Sequence, residues 1–123
     1  MSRIHQSSAD VFSVMTFNLR FGLAQDGPNA WRFRKKILPR LFDNHPVDFI
    51  GFQEVNSFQS DDLNAVLTGY RSVGKREPAP WFWQNNMIYY RQDWELTLYR
   101  HSYLSQTPTI PRRSRESKWP RQC

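Results

Sequence analysis

Two side chains in this sequence stand where polar groups do chemistry. Asn18 follows the run Val-Phe-Ser-Val-Met-Thr-Phe of residues 11–17, and Glu54 follows Val-Asp-Phe-Ile-Gly-Phe-Gln of residues 47–53. An amide beside a carboxylate, each at the end of a rigid strand, suits a hard cation. Magnesium takes one or two carboxylates and keeps water or substrate phosphate in its remaining positions. Manganese uses the same oxygen donors. A plainer reading of the same pair is also open, in which Glu54 pairs with a nearby arginine and Asn18 caps a loop.

The elements that must position this pair are legible around it. Residues 11–18 are rich in β-branched and aromatic types, apolar on both faces, which predicts a buried strand. Phe12, Val14 and Thr16 share a strand face with Asn18, and Ile50 and Phe52 share one with Glu54. If the two strands are parallel, both side chains emerge at one edge of the sheet, where α/β folds place ligands. Leu19 to Asn29 reads as a loop, with Gly22, Gly27 and Pro28. Trp31 to Asn44 reads as a helix that buries Trp31, Ile37, Leu38, Leu41 and Phe42, with a kink expected at Pro39. A second helix is predicted from about Ser57 to Leu67, capped by Asn56 with Gln59 three residues on and stopped by Gly69. Strands follow at 70–74, 86–91 and 94–104, with a turn at Gln92-Asp93. The proline-bearing segment from Ser105 is mostly loop. This order predicts an α/β (α+β) sandwich with a mixed sheet, its first β-α-β step right-handed and parallel.

Composition bounds the rest. The 123 residues make one modest domain, and 15% aromatics with five Trp exclude a disordered chain. No apolar run approaches the roughly 18 residues of a membrane span. Residues 1–10 carry no apolar core, so they read as a disordered polar tail rather than a secretory signal, with a cytoplasmic location as the default. The one cysteine, Cys123, excludes an internal disulfide and multi-cysteine metal sites. A net charge of +6 favours anionic partners such as phosphates or nucleic acid. Arg112, Arg113, Arg115, Lys118 and Arg121 crowd the end, as a solvated loop or a phosphate-facing one.

Five segments in order resemble the motifs of the endonuclease/exonuclease/phosphatase family. They are Thr16-Phe17-Asn18-Leu19-Arg20, Asp48-Phe49-Ile50-Gly51-Phe52-Gln53-Glu54, Gln59 to Leu63 with Gly69-Tyr70, Asn86-Met87-Ile88-Tyr89-Tyr90-Arg91, and Leu104-Ser105-Gln106-Thr107-Pro108. The resemblance covers about residues 11–123. It implies a four-layered α/β/β/α fold, of which this chain is the N-terminal half, and a Mg²⁺- or Mn²⁺-dependent phosphoester hydrolase in which water attacks phosphorus. It further implies that Asn18 acts at the phosphate, that Glu54 binds the metal, that Gln53 orients Glu54, and that Asn86 and Tyr90 border the substrate.

One departure stands out. Many relatives carry a Glu two residues before the strand Asn, where it supports the catalytic His. This chain has Gln84, so either the acid/base pairing differs or the alignment slips by a residue. His5, His45 and His101 are poor candidates for the catalytic His. The family's later motifs, a His-bearing strand, Gly-Asp-x-Asn and a terminal Ser-Asp-His, do not occur. The sequence therefore reads as a truncated domain, inactive alone, with weak metal affinity and an exposed sheet face that a complementary C-terminal half would cover. The rival reading is a small basic nucleic-acid-binding protein without catalysis.

Overall fold

The structure is a computed structural model, which describes residues 11–111, 113–115, 118, 121 and 122. The expected tail at 1–10, with His5, and the tail residues Arg112 and Cys123 lie outside the described residues. Four strands and three α-helices run in the order β1 (Val14–Asn18), α1 (Trp31–Arg34), α2 (Leu38–Asn44), β2 (Phe49–Val55), α3 (Ser57–Val66), β3 (Tyr70–Val73) and β4 (Asn85–Arg91). They form one mixed sheet in the order β1-β2-β4-β3. β1 and β2 are parallel, and β4 is antiparallel to both β2 and β3. This is the expected α+β arrangement with a mixed sheet.

The first helix is broken where the sequence places its proline. A 3-10 turn at Lys35–Ile37 separates α1 from α2. Pro39 then sits in the first turn of α2, where its missing N–H leaves no bond unmade. The tighter winding rotates Ile37 off the apolar stripe. Trp31, Leu38 and Phe42 are buried as expected, whereas Ile37 is 62% exposed. In α3 the capping box forms, with the Asn56 N–H donating to Gln59 Oε1 at 2.9 Å.

One face of the sheet carries the core. Ile50, Phe52 and Val55 of β2 and Met87 and Tyr89 of β4 meet Trp31, Leu38, Phe42, Leu63 and Leu67. Phe52 packs edge-on against Phe17, Phe42 and Tyr89. The opposite face is open. Val14 on it is 63% exposed and Ile88 50% exposed, so β1 is buried on one side only, not both. The strand expected at 94–104 does not form. Trp94 packs on Phe49, which also meets Phe12, and residues 99–101 border a hollow on the open face with Gly51, Val73 and Ile88. Residues 94–101 are exposed throughout, so the alternation there corresponds to no buried face. A ladder needs a neighbouring backbone, and the described segment has only the single bridge of Tyr103 to Gln122. Gly74 ends β3 with φ of 106°, and a Cβ there would lie 2.2 Å from the Asn86 carbonyl. Among the described residues, no helix is long and apolar enough to cross a membrane.

Asp48 locks the entry of β1 to that of β2. Its Oδ2 accepts from Ser13 N and Ser13 Oγ, each at 2.8 Å, and its Oδ1 accepts from Trp94 Nε1 at 3.3 Å. These bonds, the backbone one foremost, hold its carboxyl below the usual carboxylate range. A depressed folded-state pKa means that the unfolded chain binds the proton first as pH falls. The stabilisation is therefore full above the ordinary Asp range and is lost as pH drops through the depressed value. Urea melts of Asp48→Asn and the unsubstituted chain should differ at neutral pH and converge towards acid.

Candidate active site

Glu54 faces the site because the chain bends there. In a regular strand it would share the core face of Ile50 and Phe52. Instead the register between β2 and β4 shifts between Phe52 and Val55, so that three steps on β2 oppose two on β4. This is a β-bulge. Glu54 adopts a left-handed backbone with φ of 62°, which costs a bulky residue about 1–2 kcal/mol. Val55 returns to the core, fully buried, and Glu54 turns to the open face beside Asn18. The face assignment from alternation is thus corrected by one extra residue.

The carboxylate is held by fixed donors. Its Oε1 accepts from Asn18 Nδ2 at 3.1 Å, and its Oε2 accepts from Phe21 N at 2.9 Å and from Gln84 Nε2 at 3.4 Å. The Asn18 Oδ1 accepts from Arg20 N at 2.8 Å, closing the turn after β1. Asn18 thus caps the loop after β1 and contacts the carboxylate. Arg20 does not pair with Glu54. Its guanidinium binds both oxygens of Asp26 at 3.0 and 3.1 Å, which raises its pKa and lowers that of Asp26.

The buried amide of Asn56 ties the loops around this pair. Its Oδ1 accepts from Gly22 N at 2.9 Å, and its Nδ2 donates to the carbonyls of Phe82 and Trp83 at 3.0 and 3.2 Å. Gln59 Nε2 donates to the Arg20 carbonyl at 3.0 Å. The capping box of α3 thus also anchors both loops that flank Glu54. Gly22 approaches α3 so closely that a Cβ would sit 2.6 Å from the Phe58 ring.

Glu54 opens on a cleft of about 360 Å³, lined further by Phe21, Arg76, Phe82, Trp83, Gln84, Asn86, Arg121 and Gln122. Asn86 lines this cleft, and its N–H and its Nδ2 both donate to Gln122, at 3.1 Å each. Two other expectations are corrected. Gln53 does not orient Glu54 with its side chain, which lies along the sheet and donates to Thr16 Oγ1 at 3.0 Å and to the Gly51 carbonyl at 3.1 Å. Tyr90 pairs with Phe49 at the other end of β2. At about 3.3 Å per residue that is roughly 16 Å from Glu54. Antiparallel pairing sends the far end of β4 away from the site, so Tyr90 borders no part of this cleft. His45 lies at the end of α2, and His101 stacks on Tyr99 at 6.1 Å and lines a neighbouring hollow that shares Asn86 and Gln122 with the cleft. Of the basic tail, Arg121 lines the cleft, whereas Arg113 and Arg115 line a separate depression. Among the described residues, no group of three His, Cys, Asp or Glu gathers to hold a metal. Arg76 and the aromatic wall of Phe21, Phe82 and Trp83 had no periodic signal in the sequence to mark them.

A fold with a carboxylate–amide pair at the ends of two parallel strands defines a class, and comparison with known proteins names it. The Endonuclease/Exonuclease/phosphatase family model matches residues 15–118, and the chain belongs to this family, whose members are phosphatases and nucleases. A family protein from Bacteroides vulgatus is 27% identical, superposes with a TM-score of 0.80, and is matched over 90% of this chain and 44% of its own. A mannosyl-6-phosphatase from Bacteroides thetaiotaomicron is 25% identical, with a TM-score of 0.80 over 91% of this chain and 43% of its own. A conserved protein of unknown function from Enterococcus faecalis is 25% identical, with a TM-score of 0.79 over 89% of this chain and 44% of its own. The chain spans less than half the length of these structures. No curated protein matches it.

Gln84 faces Glu54 with a neutral donor. Gln84→Glu would set a second carboxylate about the same distance from the first, as magnesium sites prefer. Calorimetric titration should show divalent-cation affinity rising by roughly tenfold or more.

Proposed function

We propose that this chain forms the metal- and phosphate-facing part of a divalent-metal-dependent phosphoester hydrolase. The observation that carries this reading is the bulge that turns Glu54 out of the core and onto Asn18, with both side chains at the carboxyl ends of parallel strands. A strained backbone that delivers a carboxylate into a cleft is characteristic of a working site.

The donor chemistry fits a hard cation. An ionised carboxylate has about four acceptor directions, and the donors from Asn18, Phe21 and Gln84 occupy three of those at Glu54. One direction is left for a metal. A single carboxylate holds magnesium only weakly against water, so Glu54 would hold Mg²⁺ or Mn²⁺ with most of its water shell retained. When bound, such a cation neutralises charge that develops on phosphoryl oxygens. The chain's own residues do the positioning. Asn18 and the Phe21 N–H fix the carboxylate, and the Asn18 amide presents its N–H edge to the phosphate. The aromatic wall excludes water and offers apolar faces to the alcohol part of the ester.

The mannosyl-6-phosphatase among the similar structures supports a small phosphate ester as the substrate class. The open sheet face, with Val14 and Ile88 exposed, would pack against the complementary half of the domain. Activation of water falls to groups beyond those gathered here, so this chain alone should not turn over. Removing several members of a catalytic unit abolishes nearly all of the rate.

The test is to assay the 123-residue chain with magnesium and manganese on nitrophenyl phosphate, a nitrophenyl phosphodiester and plasmid DNA. Weak cation binding that disappears in Glu54→Gln, with no turnover, is expected. Metal-dependent turnover lost in Glu54→Ala would show that the chain carries more of the machinery. Tight, metal-independent DNA binding with a steep salt slope would replace the hydrolase reading with a nucleic-acid-binding one.

A further inference from the structure

Arg76 is a buried cation with no acidic partner among the described residues. It is 7% exposed. Its backbone N–H and its Nε both donate to Asn85 Oδ1 at 3.1 Å, and its Nη2 donates to the Gln84 carbonyl. Its guanidinium lies over the Trp83 ring at 4.7 Å and the Tyr103 ring at 5.8 Å. The hydrogen-bond acceptors are neutral. The nearest acidic residue along the chain, Glu77, pairs with Lys75 at 3.1 Å. Nη1 is buried and has no hydrogen-bond partner among the described residues. Burial lowers the pKa of Arg76, and the Tyr103 hydroxyl, through its charge and a side-chain hydrogen bond, acts in the opposite sense. Arginine nevertheless stays charged at any ordinary pH. A buried charge left unpaired is costly, and an arginine serving only to brace a loop would have its N–H groups satisfied.

This cation lines the same cleft as Glu54, and two adjacent residues link them. The Gln84 carbonyl takes Nη2 of Arg76, while the Gln84 side chain donates to Glu54 Oε2 at 3.4 Å. Asn85 holds Arg76 by its Oδ1 and donates its Nδ2 to the Val55 carbonyl at 3.0 Å, beside the bulge. The guanidinium is thus fixed before any ligand arrives, which spares the rotamer entropy that a free arginine loses on binding.

We propose that Arg76 is an oxyanion-binding residue of the Glu54 cleft, placed to take a phosphoryl oxygen of an ester bound there. The proposal rests on the reading of this cleft as a phosphoester site. With Nε and Nη2 already bonded, Nη1 is the donor left for an oxyanion, and a charged donor's bond to an anion is about twice as strong as a neutral one. The ligand class is a phosphate monoester or its free phosphate product.

The experiment titrates the full chain with inorganic phosphate at low ionic strength, with and without magnesium. Binding is read by tryptophan fluorescence, and Trp83→Phe tests that the signal comes from the ring beneath Arg76. Saturable binding is expected, weakened at least tenfold in Arg76→Gln and less in Arg76→Lys, which keeps the charge and loses the fork. Glu54→Gln should remove the increment that magnesium adds. Arg76→Gln binding within twofold of the unsubstituted chain, with circular dichroism and melting unchanged, overturns the proposal. If Arg76→Gln does not fold, the Arg76 Nε–H resonance of the unsubstituted chain decides. It should move along the titration, and a resonance that stays put overturns the assignment. Arg76-dependent phosphate binding without a magnesium increment would leave the oxyanion site standing and remove the metal-hydrolase reading.

Discussion

The site depends on one extra residue in β2. Side chains on a strand alternate between faces, and without the bulge Glu54 would point among Phe52, Met87 and Leu63. A carboxylate there would be buried against the core, and burying it without a cation would oppose folding. The bulge reverses the outcome for two residues at once. Val55 fills the core position, and Glu54 gains three donors on the open side. The left-handed backbone is sustained because the surroundings fix it on both sides. β4 sets the register, and the Phe21 N–H gives a charge-assisted bond that a neutral side chain would not receive as strongly.

The second constraint is the Asn56–Gln59 pair, which serves a helix and a site with the same atoms. A capping box needs only to satisfy the first turn of α3. Here Asn56 also accepts from Gly22 and donates to Phe82 and Trp83, and Gln59 donates to Arg20. The loop that carries the Phe21 donor and the loop that leads to Gln84 are therefore both fixed to one fully buried amide. Arg76 is held in turn by Asn85, the first residue of β4. The cleft is rigid because its walls share a small set of buried amides, each satisfied by backbone groups.

Much of this was legible in the sequence because it rests on local rules. Asn18 and Glu54 end apolar runs, Asn56 and Gln59 have capping-box spacing, and Pro39 marks a break in a helical pattern. What was not legible depends on partners distant in sequence. The bulge is a relation between β2 and β4, so alternation within β2 misassigned the face of Glu54. The direction of Gln53 is set by Thr16 on the neighbouring strand. Tyr90 was read from a motif, and only the antiparallel register shows that it lies at the far end. Residues 94–104 have the pattern of a strand without a backbone to pair with. Arg76 sits in an irregular loop, and its surroundings of Asn85, Trp83 and Tyr103 come from residues that only the fold brings together.

The sheet order β1-β2-β4-β3 also bears on how the chain comes together during synthesis. β1 and β2 can pair once about the first half of the chain is available. The other edge of β2 finds no partner until β4 emerges, after α3 and β3 and the loop that follows. In that interval β2 has an unpaired edge of apolar residues, the kind that pairs with other chains. β3 cannot shield it, because β3 joins the sheet only through β4. Pairing over so long a separation is slow compared with local helix formation. The bend at Glu54 is defined by that late pairing, so the carboxylate takes up its working position only when the central strand has closed.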